Sequence, residues 1–198
     1  ELAPGDLMYQ DINGDGVITS YDQKVIGRYT PKWNGGFNTT FSWKGLSLYL
    51  RTDFGLGFES YDGMRQWING CAQGEYNMTT DIWDSWTPEN PNAKYPRYVW
   101  ADQLGTNNYV RTSEFWVTKG NYLALRELQL SYTLPKNICQ KFYCQGLTVS
   151  GTGQNLGYWT SSSCAIPDRI QYTNGNTGGY GGTYALPRTV LFGLNITF

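Results

Sequence analysis

The sequence predicts an all-β protein, strands of a large transmembrane β-barrel joined by long loops, and three observations carry that reading. Several segments are apolar at alternate residues, the period of a strand with two unlike faces. These segments run to about ten residues, the length that crosses a bilayer at a tilt. Only 16% of the 198 residues are charged, against 16% aromatic and 24 glycines, a surface short of charge beside the ~25% of soluble domains. No apolar run approaches the ~18 residues of a helical span.

Composition also removes several chemistries. With no histidine, Ser-His and Cys-His catalysis, His-bound zinc and imidazole switching are excluded. A net charge of −1, without a basic cluster, argues against nucleic acid as a partner. The opening Glu1-Leu-Ala-Pro-Gly5 lacks the basic and apolar pattern of a leader, so an exported protein is expected to have its own N-terminus outside this chain.

Taken in order, Asp11 to Asp22 fit a calcium loop with oxygen donors on alternate residues. Asp11, Asn13 and Asp15 open the ligand set, Gly16 makes the sharp turn, Val17 offers its carbonyl and Asp22 closes the set. The closing Asp is shorter than the usual Glu, which limits its reach. The same Asn-Gly and Asp-Gly pairs also suit an ion-free Asx turn; the complete spacing favours Ca2+. Next, Phe37, Thr39, Phe41 and Trp43 alternate on one side of a strand, and Lys44-Gly45 turns the chain. Leu46 to Glu59 then reads as one long strand, with Leu46, Leu48, Leu50, Thr52, Phe54, Leu56 and Phe58 opposite Ser47, Tyr49, Arg51, Asp53, Gly55, Gly57 and Glu59. In a sandwich the apolar face would be core. In a barrel it meets lipid, and Arg51, Asp53 and Glu59 face the lumen.

Residues 60–111 lose the period and carry Trp67, Trp83, Trp86 and Trp100. A loop this long is uncommon in a compact soluble domain but ordinary on one side of an outer-membrane barrel. The four tryptophans are candidates for binding substrate by stacking; alternatively they form, with Trp116, the loop's own core. Residues 122–134 alternate again, with a slip near Leu123 to Leu125 that predicts a bulge, and Pro135 ends the strand. A connection at 136–146 holds Cys139 and Cys144. Leu147 to Gly157 is a glycine-rich strand, 160–186 a second long loop, and Thr189 to Phe198 a last strand with Val190, Phe192, Leu194, Ile196 and Phe198 on one face. Trp43, Tyr158 and Trp159 fall near strand ends, where aromatic girdles form.

Several of these segments resemble one family. They are Asp11-Ile-Asn-Gly-Asp-Gly16 with Val25-Ile-Gly27 and Pro31-Lys32, Trp86-Thr-Pro-Glu-Asn90, the run from Ser113 to Pro135, Gly153-Gln-Asn-Leu156, and Leu186 to Phe198. Together they are similar to the SusC/RagA family, TonB-dependent transporters of Bacteroidetes outer membranes that pair with SusD-like lipoproteins. The resemblance implies a plugged barrel of on the order of 22 strands, of which about five strands here would be the C-terminal part, since so few cannot close a barrel. It places Phe198 at the periplasmic side as an assembly signal. The loops at 60–111 and 160–186 are then extracellular, and so is 1–33, a calcium-loop segment ahead of barrel residues 34–198. The same topology groups Cys71 with Cys164 and Cys139 with Cys144, as disulfides or as free thiols. The implied function is import of oligosaccharides or peptides under a SusD-like lid, driven through TonB by parts outside this chain, with no enzymatic step.

Two other classes fit some of the residues. A soluble, calcium-stabilised β-sandwich that binds carbohydrate would keep the loop and the tryptophans but bury the apolar strand faces. An enzyme would have to use carboxylates such as Asp81, Asp84 and Glu89, whose spacing alone assigns no reaction.

Overall fold

The computed structural model describes residues 3–70, 78–98, 111–162, 171–173, 176–179 and 186–198, with backbone alone at Met64, Trp67, Gly70, 171–173 and 176–179. In chain order its strands are β1 (Trp33–Trp43), β2 (Leu46–Leu56), β3 (Glu59–Tyr61), β4 (Val117–Lys119), β5 (Tyr122–Thr133), β6 (Gly146–Thr160), β7 (Gln171–Thr173), β8 (Asn176–Gly179) and β9 (Thr189–Thr197). The five long strands make one antiparallel sheet in the order β1-β2-β5-β6-β9, and the short ones a second sheet in the order β4-β3-β8-β7. The all-β reading holds.

Register explains why these residues pair as they do, because partners across a sheet share a face. On one face a row runs Phe41, Leu48, Leu130, Gly151, Phe192, and the next runs Thr39, Leu50, Leu128, Gly153, Val190. Phe192 and Val190 thus lie over glycines of β6. The other face carries Ser42, Ser47, Ser131, Ser150, Gly193 in one row. Its hydroxyls bond one another, Ser42 to Ser47 at 3.1 Å and Thr133 to Thr148 at 3.0 Å. The apolar face is open, with Phe192 89% exposed and Leu194 64%. A sandwich would bury those side chains under a second sheet, so the soluble-sandwich alternative is overturned.

Aromatic residues bracket the apolar face. Trp33 on β1 and Trp159 on β6 stand toward one end, Trp43 and Tyr132 toward the other. Ten residues separate Trp33 from Trp43, about 33 Å of strand, which at a tilt of roughly 40° is about 25 Å, the height of an outer-membrane apolar band. Tyr158 is corrected here. It shares a row with Ala124 and Asp53 on the polar face, where it stacks on Tyr122 at 5.5 Å, and is not a girdle residue.

The expected bulge is real but lies two residues on from the centre of the slip. Register shifts at Arg126, between Leu125 and Glu127 on β5, and β6 answers with Asn155 and Leu156 between Gln154 and Gly157. Asn155 takes a left-handed φ of 52°. An extra residue lets Arg126 and Glu127, neighbours in sequence, both lie on the polar face.

The strand expected to run from Leu46 to Glu59 ends at Leu56. Gly57 has φ 74°, which a side chain there would resist, and its N–H is held by Asn121 Oδ1 at 2.7 Å. Phe58 is therefore not on the lipid face but 2% exposed. Its ring presses on Gly120, where a Cβ would come within 2.3 Å. Glu59 opens β3 in the second sheet, off the strand of Arg51 and Asp53.

Connections at the two ends of the main sheet differ in length. Lys44 and Gly45 join β1 to β2 with φ of 45° and 88°, as primed hairpin turns require. Residues 134–145 join β5 to β6 around a short helix, α1 (Lys136–Cys139). There Cys139 and Cys144 are free and buried, so this pair is thiols and not a disulfide; Cys71 and Cys164 lie outside the described residues. The other connections, 57–121 and 161–188, are long.

Contacts divide the chain into a sheet unit (29–59, 119–169 and 183–198) and a loop unit (1–28, 60–118 and 170–182). Of the N-terminal segment expected to stand alone at 1–33, residues up to Arg28 group with the loop unit and those from Tyr29 with the sheet unit. In the loop unit Trp116 is fully buried and Tyr95 nearly so. Arg65 lies 5.4 to 5.7 Å from the rings of Trp116, Phe115 and Tyr95, a cation set among aromatic faces.

Candidate functional site

The loop unit presents an open groove of about 510 Å3, lined by Met78, Ile82, Trp83, Ser85, Trp86, Thr87, Pro88, Arg97 and Tyr98. The volume falls in the ~300–1,000 Å3 range of small-molecule sites. Local folding builds its wall. Residues Thr80–Asp84 make a single 3-10 turn, after which Trp86 N–H donates to Tyr95 O at 2.9 Å and Tyr95 N–H to Asp84 O at 3.0 Å. Between those bonds Thr87 Oγ1 accepts Asn90 N–H at 3.1 Å, so Thr-Pro-Glu-Asn is a closed turn. Trp83 is left 87% exposed, an unusual position for so large an apolar ring.

The structure thus brings Trp83 and Trp86 to one groove. The side chain of Trp67 and all of Trp100 lie outside the described residues. Trp116 is core. Two groove residues had no signal in the sequence: Tyr98, and Arg97, whose guanidinium binds both carboxylate oxygens of Asp6, at 2.5 and 3.1 Å. Burial alone would raise the pKa of Asp6, but Arg97 and the Ala3 N–H outweigh it, and the carboxyl sits below its ordinary 3.8. A depressed pKa means the pair's stabilisation is present above the ordinary value and is lost as pH falls through the lower folded one. We expect the loop unit to loosen below about pH 3.8 before the sheet does, read by proteolysis over a pH series. Loss of the loop unit only together with the sheet would contradict this.

On the polar face of the sheet, Arg51 and Asp53 lie where their strand predicted, and the bulge adds Arg126 and Glu127. Arg126 binds Asp53 through two nitrogens, one at 2.9 Å, with its guanidinium 5.9 Å from the Tyr158 ring. Arg51 stands opposite Glu127. These four side chains form a belt of mixed charge above the serine and threonine rows.

At the Asp11 loop, Gly14 and Gly16 have φ of 77° and 80°, and the acidic side chains turn onto the loop's own amides. Asp11 accepts from Gly14 and Gly16, both at 2.7 Å. Asp15 accepts from Val17 N–H at 2.8 Å and, through its other oxygen, from Asn13 Nδ2 at 2.8 Å. Asp22 accepts from Ile12 at 2.9 Å and Thr19 at 2.6 Å. The Thr19 amide, then the Ile12 amide, hold Asp22 below its ordinary pKa. Among the described residues no three His, Cys, Asp or Glu side chains converge as for a metal. Asp11, Asn13, Asp15, the Val17 carbonyl and Asp22 remain an oxygen-only set suited to a hard cation.

No family model matches the chain. Over 98% of its length it is 31% identical to TonB-dependent receptor P26 of Formosa agariphila, and 30% identical to TonB-dependent receptor P3 of the same organism. The chain belongs with the TonB-dependent receptors. It spans about a fifth of those relatives, 20% and 19%. Among solved structures, the RagAB peptide importer in its closed-closed state matches 98% of the chain and 21% of its own, with a TM-score of 0.70 at 22% identity. The RagAB peptide transporter matches 86% with a TM-score of 0.67. At that identity the likeness concerns the fold alone, and the TonB-dependent receptor part of the expected resemblance rests on the two relatives. TonB-dependent receptors are outer-membrane barrels, and the five-stranded sheet here is a length of such a wall. No described helix is long and apolar enough to cross a membrane.

Proposed function

We propose that this chain is part of a TonB-dependent outer-membrane importer of oligosaccharides or peptides, closed by a SusD-like surface lipoprotein. One observation carries the reading: a five-stranded sheet with a lipid-suited face about 25 Å tall and, behind it, a polar face with a mixed-charge belt. In this role the long connections are extracellular, and the Trp83 and Trp86 groove meets substrate outside. Arg51 and Asp53 belong to the wall of the path, and Glu59, on β3 of the second sheet, stands off that wall. Energy enters through TonB by way of parts of the receptor outside this chain.

The test is uptake. Cells carrying the full receptor should accumulate a labelled ligand in a TonB-dependent manner, and deletion of 60–111 should abolish capture while the barrel still assembles. Capture that survives the deletion would overturn the placement of the site.

We also propose Ca2+ at Asp11, Asn13, Asp15, Val17 and Asp22, where it would supply charge neutralisation and crosslink the loop. Chelation should lower the loop unit's resistance to protease, and Asp11→Ala should remove the effect of chelation. Equal resistance with and without chelator, with no metal by elemental assay, would end the proposal.

A further inference from the structure

We infer that residues 3–6 are a strap that positions the groove walls Trp86 and Arg97, and that the groove so held accepts a neutral sugar ring. The inference rests on the importer reading and extends it to one site. Gly5 has φ 89°, and a Cβ on it would come within 2.5 Å of Trp86 Cε3 and 3.0 Å of Arg97 Cβ. The backbone of Gly5 is therefore seated against both walls. Its carbonyl accepts Arg97 N–H at 2.8 Å. The next residue, Asp6, takes the Arg97 guanidinium in two bonds, while its other hydrogen bond, from Ala3 N–H at 2.9 Å, closes the strap on itself. The Asp6 side chain is 2% exposed and that of Arg97 24%, so the carboxylate end of the pair is shielded from water, and the two-bond geometry fixes the guanidinium.

Ligand class follows from what the strap leaves over. Among the described residues the lining has one charged side chain, Arg97, and Asp6 is paired with it. What remains are aromatic and aliphatic surfaces at Trp83, Trp86, Tyr98 and Ile82, with hydroxyls on Ser85 and Thr87. Such a surface matches a pyranose, whose C–H face stacks on an indole while its edge hydroxyls seek small polar groups. Among the described lining residues a peptide terminus or an acidic sugar would meet only an arginine already paired with a carboxylate.

The experiment uses the full receptor in detergent, titrated with neutral hexose oligosaccharides, the same sugars carrying carboxylates, and tripeptides. Trp83→Ala is expected to weaken neutral-sugar binding about tenfold, the loss of one stacking contact. Asp6→Asn should weaken it several-fold and, by taking the carboxylate charge away from Arg97, strengthen binding of the carboxylated sugars. A strap that only holds the fold together would not produce that reversal. Gly5→Ala should weaken every sugar alike. If Trp83→Ala and Asp6→Asn bind as the parent does while TonB-dependent uptake persists, the groove proposal fails and the importer reading stands. Tripeptide binding lost with Trp83→Ala, without sugar binding, would overturn the ligand class. Absence of any TonB-dependent uptake by the parent receptor would sink the importer reading instead.

Discussion

Leu128→Arg is expected to block assembly of the sheet into the membrane, and Gln129→Arg, one residue later, to be tolerated. Leu128 sits in the row Thr39, Leu50, Leu128, Gly153, Val190, near the middle of the span between the Trp43 and Trp33 ends. A lipid-facing arginine at the bilayer midplane costs about 2–4 kcal/mol, and a lumen-facing one little. Gln129 lies between Tyr49 and Thr152 on the polar face. The measurement is the folded, heat-sensitive band of outer-membrane preparations run cold against boiled. Equal folding of the two variants, or the reverse order, would mean that the faces have been assigned backwards.

The second large effect is expected at Trp116. This side chain is fully buried. Its ring meets Phe115 edge to face at 4.7 Å, and its carbonyl accepts Asp62 N–H at 2.9 Å. Phe115 O in turn accepts Arg65 Nη2 at 3.4 Å. Removing a buried tryptophan costs about 3–5 kcal/mol, and Trp116→Ala also strips one aromatic face from the Arg65 guanidinium. Because the two units have separate cores, the loss should fall on the loop unit alone. Limited proteolysis should cut within 60–118 while the heat-sensitive barrel band is unchanged. If the barrel band is lost as well, the two units do not fold separately.

The strands were legible in the sequence because lipid and lumen impose a period of two on every residue between the girdles. That is why Thr189 to Thr197, Phe37 to Trp43 and the Lys44-Gly45 turn read directly. Where the period carries on past its cause, it misleads. Leu56, Gly57 and Phe58 keep alternating, yet a left-handed Gly57 turns the chain and Phe58 goes to a buried seat under Gly120. Arg126 was hidden for the opposite reason, since a bulge breaks the period at the one point where it turns a charge inward. The loop unit offered no period at all. Its core of Trp116, Tyr95 and Arg65, and its tie between Asp6 and Arg97, join residues up to 91 positions apart, and composition cannot say which tryptophan is buried and which, like Trp83, stands in solvent.

The strand order has a consequence for what this length of chain needs around it. β1 and β9 are the two outer strands of the main sheet, so along eleven residues on one side and nine on the other alternate N–H and C=O groups point away from the sheet. Hydrocarbon offers them nothing, and each unmet group costs several kcal/mol. Both margins therefore demand a further strand as neighbour, and the wall is held upright less by its own packing than by the seams on either side.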